Sequence, residues 1–354
     1  MSTVNVLHVL DTLIPASGVA SIIMNLIEHS EYCQDVAVYS DVDEVMSERV
    51  ERRGGKILRI SDVRSGFGRS FKREISDLLS DNRYTVVHGH LLNSAFIYMR
   101  EAKRRNVPVR IIHSHSAKSA NTRLKRARND ILKQGIPMWA NTFIAGSQPA
   151  AKNAFGKRDA HIIRNGVDIN RFSFDAETRC SVRKELGIAD DEVCIGSVAR
   201  FSPEKNHQFM FRILEHMPRA VGVFAGGGNL PDTVSIPHNV KFIGPYGDIS
   251  RLYQALDVFI LPSFFEGFPL SAIEAQCAGL PCLISDTVTS DVDCGGSIAF
   301  LPIDDPELWA KEAFEIVKGT RTDGSAVISA AGMDVMSMVR GIEGLWGFRS
   351  TTNE

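Results

Sequence analysis

Long apolar runs, paired cysteines and a strong net charge are all missing from this chain. No apolar stretch is long enough to span a bilayer, which argues against a transmembrane helix. No basic N-terminal region precedes an apolar run, so no signal peptide is expected. The 6 cysteines are scattered without CxxC or finger spacing, and read as reduced thiols rather than a disulfide frame or a zinc finger. The spacing GxGxxG does not occur, so a dinucleotide fingerprint is lacking. Nucleic acid is not an expected partner, because few aromatic residues are interleaved with the basic ones.

What is present is enough for two packed cores: 354 residues, 44% of them hydrophobic. The net charge of -2 conceals an asymmetry. Residues 1–170 carry 25 Lys+Arg against 17 Asp+Glu, and residues 171–354 carry 15 against 25. A basic half joined to an acidic half suggests two domains with different partners.

Short apolar runs alternate with amphipathic stretches. "VNVLHVL", "DVAVYS", "KILRI", "YTVVHGH", "VRIIHSH", "TFIAGS" and "HIIRNG" read as strands, separated by patterns such as "GVASIIMNLIEH" and "FKREISDLLS". The pattern restarts after a linker near 165–180 with "VCIGSVAR", "VGVFAGG", "VKFIGP", "VFILPS" and "PCLISD". Repeated βα units predict an α/β protein with two Rossmann-like, doubly wound domains facing across a cleft. The expected division is 1–168 and 169–333, with a last helix at about 334–354 packing back on the first domain. In such sheets ligands bind beyond the C-terminal ends of the strands, so residues that follow strands are the candidates.

Gly18 would open the helix after the first strand, where amides could face a phosphate or a sugar, or simply close a tight turn. Arg200 and Lys205, in "ARFSPEKNH", could clamp a diphosphate or be ordinary surface charges. The glycines of "VFAGGG" allow a backbone to approach a ligand, or form a plain loop. "SFFEGFPLSAIEAQCAGLPC" carries Glu266 in a loop and Glu274 in a helix that begins near Leu270 and is ended by Gly279. The free amides of that helix suit a diphosphate. Glu274 could accept from ribose hydroxyls, and Glu266 from the hydroxyls of a sugar.

The pairs His88/His90 and His113/His115 end two strands and raise a metal site as an alternative. No Asp, Glu or Cys cluster completes one, and the expectation is no metal. His113 is the imidazole assigned to a sugar; His88 reads as a packed strand residue. Asp41 and Asp43 read as a helix cap, and Asp291 and Asp293 as part of a Gly-rich loop. Residues 118–133 hold six basic side chains and one acidic one in an expected helix. Lys118, Arg123, Lys125, Arg126 and Arg128 could form a solvated face or meet an acceptor or anionic lipid.

Taken in order, these motifs resemble the retaining glycosyltransferases of the GT-B fold, the family-four type. The marker is Glu266-x7-Glu274 within "EGFPLSAIEAQCAGLPCLIS", supported by "RFSPEKNH", "RNGVD", "ASGVAS" and "IIHSHS". "VRIIHSHSA" is similar to the exopolysaccharide and capsule branch. The resemblance implies transfer from a nucleotide sugar, a UDP-sugar by analogy, to a glycan or a polyprenyl-diphosphate-linked acceptor. It implies no cofactor and no metal, and a cytoplasmic place at the inner face of the membrane. It implies that Glu274 holds the ribose, that Arg200 and Lys205 neutralise the diphosphate, and that Glu266, Gly267 and Phe268 hold the sugar, with Pro269 and Leu270 continuing the loop into the helix. Gly18 would leave room for the donor, His113 would contact the transferred sugar, and Ile243 and Gly244 would flank the base. Ser17, where many relatives have glycine, and Arg164 before "NGVD" depart from the pattern. The stretch Gly226–Val240 is short for the helix expected there. Alternatives are a sugar-nucleotide epimerase of the same fold, a metal-dependent hydrolase built on the HxH pairs, and a non-catalytic nucleotide-binding partner.

Overall fold

The computed structural model describes residues 5–15, 17–64, 68–115, 138–228, 235–319 and 321–347. Two compact units form, one of Met1–Gly166 with Val335–Glu354 and one of Val167–Asp334. The basic segment with Lys118, Arg123, Lys125, Arg126 and Arg128 lies outside the described residues, as does the middle of Gly226–Val240.

Among the described residues, seven parallel strands build the first unit: β1 (Asn5–Leu10), β2 (Cys33–Val38), β3 (Ile57–Arg59), β4 (Val86–Gly89), β5 (Val109–Ser114), β6 (Thr142–Ala145) and β7 (His161–Ile162). Their order is β3-β2-β1-β4-β5-β6-β7. Both faces are covered, so the strands are mostly apolar, with His8, Gln34, Asp35, His88 and His113 as buried polar exceptions. Leu7 and Val9 pack with Val87, Tyr98 and Met99 on one face. Leu10, Ile23, Val36 and Val38 pack on the other. The helices follow their sequence signals. Ser17 caps Gly18–His29 by accepting from the Ala20 amide. Asp43 caps Glu44–Arg52 through the Met46 amide, as its position before that helix predicts. The last helix, Val335–Leu345, returns to this unit and packs on Gly18–His29.

Among the described residues, six parallel strands build the second unit: β8 (Val193–Val198), β9 (Ala220–Ala225), β10 (Val240–Gly244), β11 (Val258–Leu261), β12 (Cys282–Ser285) and β13 (Ile298–Leu301). Their order is β10-β9-β8-β11-β12-β13. The strand β13, in "SIAFL", is not among the expected strands; its residues are only half-buried, as suits the sheet edge. Asp257 ties this unit together. Its carboxylate accepts from Arg179 at 2.6 Å, Arg183 at 3.2 Å and the Cys194 amide at 2.7 Å.

Each sheet is a doubly wound α/β layer. In each, two adjacent strands send their following connections to opposite faces, β1 and β4 in one unit, β8 and β11 in the other. That divergence opens a crevice at the carboxyl ends.

Candidate active site

In the second unit the crevice lies between the connections after β8 and β11. The chain after β8 passes through a short 3-10 turn, Pro203–Lys205, and enters the helix His207–Glu215. Asn206 makes the corner in the left-handed region, at φ 56°. Its side-chain amide donates to the Pro262 carbonyl at 3.1 Å, and the Phe264 amide donates to the Glu204 carbonyl at 2.9 Å. These bonds stitch the two connections together.

Across that seam Lys205 Nζ lies 2.6 Å from Glu266 Oε1. Ser263 Oγ donates to the same oxygen at 2.7 Å. The two charged side chains are 17% and 9% exposed, so each offsets the other's loss of water. Glu266 Oε2 has no hydrogen-bond partner among the described residues. Arg200, at the end of β8, is exposed and makes no hydrogen bond or ion pair among the described residues.

The loop from β11 feeds the helix Leu270–Cys277, whose start at Pro269 lacks a side-chain cap. The Ala272 amide donates to the Pro269 carbonyl, which leaves the Leu270 and Ser271 amides open to an acceptor. Glu274, one turn in, is half-buried, and its Oε2 accepts from Tyr253 Oη at 2.7 Å. Burial pushes this carboxyl up to about 6, against the opposing effects of the Tyr253 bond and the Arg171 charge. Glu274 Oε1 has no hydrogen-bond partner among the described residues. Gly279, at φ 68°, follows the helix as its left-handed stop.

Two glycines let the neighbouring loops touch backbone to backbone. A Cβ on Gly226 would sit 1.9 Å from the Ala199 carbonyl oxygen, and the Gly226 amide donates to the Gly244 carbonyl at 2.8 Å. Gly244 ends β10 at φ 63° with open space where a Cβ would be. Ile243, Phe268 and Leu270 pack partly against the apolar core, and Pro269 is buried.

Residues 16–171 match the family model "Glycosyltransferase Family 4" and residues 179–291 match "Glycosyl transferases group 1". The chain is 29% identical over 331 residues to the putative glycosyltransferase EpsF of Bacillus subtilis, covering 86% of each. It is 25% identical over 236 residues to the UDP-Gal:alpha-D-GlcNAc-diphosphoundecaprenol alpha-1,3-galactosyltransferase of Escherichia coli, covering 59% of each. In fold it is similar to Anabaena Alr3699/HepE, solved in complex with UDP-glucose, at TM-score 0.79 and 16% identity, covering 97% of this chain and all of that one. Sucrose-phosphate synthase from Thermosynechococcus elongatus gives TM-score 0.76 at 16% identity, over 97% and 98% of the chains. The chain is a family-four-type glycosyltransferase of the GT-B fold.

Of the residues proposed from the sequence, this glycosyltransferase gathers Arg200, Lys205, Ile243, Gly244, Glu266, Gly267, Phe268, Pro269, Leu270 and Glu274 in its second unit, where the C-terminal strand ends and Leu270–Cys277 meet. Gly18 and His113 belong to the first. Gly18 begins its helix beside the β1 strand end, with nothing within 4 Å of a Cβ. His113 is 1% exposed, its ring centroid 4.1 Å from that of half-exposed His115.

Sequence reasoning missed Tyr253 and Ser263, which orient the two glutamates, because nothing in their spacing marks them. It also missed His8. Parallel pairing sets His8 beside His88, and the four histidines of the two HxH pairs become a five-imidazole array. No helix among the described residues is long and apolar enough to cross a membrane.

Proposed function

We propose that the enzyme moves a sugar from a nucleoside-diphosphate sugar, with UDP as the nucleotide, onto a lipid-linked or polymeric glycan in cell-surface polysaccharide synthesis, with retention of configuration. The observation that carries this is the Lys205–Glu266 pair, held at the switch point beside an uncapped helix start and the half-buried Glu274. A cation, free amides and two carboxylates with one oxygen each unpartnered among the described residues match a diphosphate flanked by two polyols. The names of the E. coli relative and the Anabaena complex, one a UDP-Gal transferase, the other bound to UDP-glucose, support the choice of UDP. The diphosphoundecaprenol in the first name supports a lipid-linked acceptor. The branch assignment rests on "VRIIHSHSA".

Lys205, Arg200 and the helix amides would stabilise the charge that grows on the departing diphosphate. Glu266 Oε2 would accept from the transferred sugar, and Glu274 Oε1 from the ribose. The anomeric carbon–phosphate oxygen bond breaks while the acceptor oxygen bonds the same face of that carbon. The acceptor proton passes to the departing phosphate, so no protein nucleophile is required. Gly267 and Phe268 would line the sugar subsite, Ile243 and Gly244 the base. His113, buried near the end of β5 beside His115, would contact the transferred sugar. Residues 118–133 would bring the acceptor domain to anionic lipid.

The test is release of UDP from UDP-sugars by full-length enzyme with and without a polyprenyl-diphosphate glycan, and product analysis for anomeric configuration. Acceptor-dependent release with retention is the expected result. Conversion of the donor sugar without an acceptor would replace the reading with an epimerase. Unchanged turnover by Lys205→Ala would overturn the site.

A further inference from the structure

The geometry points to a transition-metal site in the first unit, formed by His8 of β1, His88 of β4 and His90 just after β4, that takes one late first-row divalent ion such as Zn2+. One ligand nitrogen from each of these three residues lies within 4.8 Å of the other two. His8 Nδ1 and His90 Nε2 are 3.0 Å apart. A four-coordinate ion with bonds of about 2.0–2.1 Å sets its ligand nitrogens roughly 3.3 Å apart, so the rings need to separate by only a few tenths of an ångström.

The outer contacts are already those of a metal site. An imidazole bound through one nitrogen carries its proton on the other and gives it to an acceptor. His8 Nε2 lies 2.7 Å from Gln34 Oε1. His90 Nδ1 lies 2.8 Å from His115 Nε2, and His88 Nε2 lies 3.3 Å from His113 Nδ1. With these three atoms engaged, the nitrogens left to bind an ion are His8 Nδ1, His90 Nε2 and His88 Nδ1. His88 is fully buried, and its Nδ1 has no hydrogen-bond partner among the described residues. A buried lone pair without a partner is costly, and a metal bond would satisfy it.

A second grouping, His90 with His113 and His115, also brings ligand atoms within 4.8 Å. The other nitrogen of His115, Nδ1, is buried without a partner among the described residues, so that set lacks the outer contact the first one has throughout. Neutral imidazoles without a carboxylate favour zinc, copper or nickel over magnesium or calcium. His90 also lines a cavity of about 500 Å³ with Asp11, Tyr39, Arg64 and Ser94, which gives the ion a way in and room for a fourth ligand. Ligands from β1 and β4 would make the ion a clamp between adjacent strands at the switch point of this unit.

Full-length protein stripped with a chelator and titrated with Co2+ tests the site. The expected result is one Co2+ per chain with the visible d–d bands of a four-coordinate ion, displaced by Zn2+. Trp346 packs edge-on to His8 and His88, with ring centroids 6.5 and 6.3 Å away, so Co2+ should quench its fluorescence and Trp346→Phe should remove that response. His8→Gln and His90→Gln, shown to be folded by circular dichroism, should each weaken binding by at least ~10-fold. Wild-type protein that binds no stoichiometric Co2+ overturns the proposal without any variant. So does a spectrum kept by His8→Gln but lost in His115→Gln, which would move the ion to the second grouping.

Discussion

Lys205 Nζ and Glu266 Oε1 meet at 2.6 Å although 61 residues separate them in the chain. The two residues sit on the connections after β8 and β11, neighbouring strands whose chains then part to opposite faces. Removing either charge leaves the other poorly solvated. Lys205→Ala should therefore cost about 10²–10³ in kcat and, separately, about 1–3 kcal/mol in stability. In a double-mutant cycle with Glu266→Ala, stability losses should be clearly non-additive. Additive melting shifts would mean that the pair carries no coupling.

Glu274 predicts a trade between stability and binding. Its folded pKa, about 6, lies above the ordinary 4.5. A carboxyl raised in this way stabilises the fold while protonated, below pH 4.5, and that contribution is lost as pH rises through about 6. Glu274→Gln should match the wild type near pH 4 and melt higher above pH 6, by on the order of 2 kcal/mol. Donor affinity should fall in the same variant above pH 6, where the wild-type carboxylate is ionised. A Glu274→Gln protein less stable than wild type at pH 7.5 would contradict the buried-charge argument.

Tyr253→Phe removes the hydroxyl that holds Glu274 and opposes its upward shift. The carboxyl should then need a higher pH to ionise. The pH midpoint of UDP binding, read by calorimetry, should move upward in the variant, whereas a purely structural role would lower affinity without moving the midpoint.

Arg200 is exposed and without a partner among the described residues, so Arg200→Ala should leave the melting temperature nearly unchanged, within about 0.5 kcal/mol. Its loss should appear in KM for the nucleotide sugar and in kcat. A large fall in stability would show that the guanidinium holds the fold.

Gly226→Ala should be severely destabilising, because its methyl would meet the Ala199 carbonyl at 1.9 Å, where neither partner is a flexible side chain. Gly244→Ala meets no atom within 4 Å, but its φ of 63° is strained for alanine, at about 1 kcal/mol or more. Denaturant unfolding of the two variants should rank them in that order.

Much of this protein is legible in its sequence. Apolar runs of strand length, separated by amphipathic stretches, specify parallel α/β layers because both faces of each sheet must be buried. Ser17, Asp43 and Gly279 mark helix ends because capping is local chemistry. The Glu266-x7-Glu274 spacing shows one carboxylate before a helix and one inside it. Tertiary structure decided what those groups touch. Tyr253 on Glu274, Ser263 on Glu266 and the Lys205–Glu266 bond join residues from different βα units, and no spacing encodes such contacts. The HxH pairs were visible as pairs, but only parallel pairing of β1 with β4 brings His8 beside them. Strand order, which depends on how whole faces pack rather than on any local pattern, turned four noted histidines into an array of five.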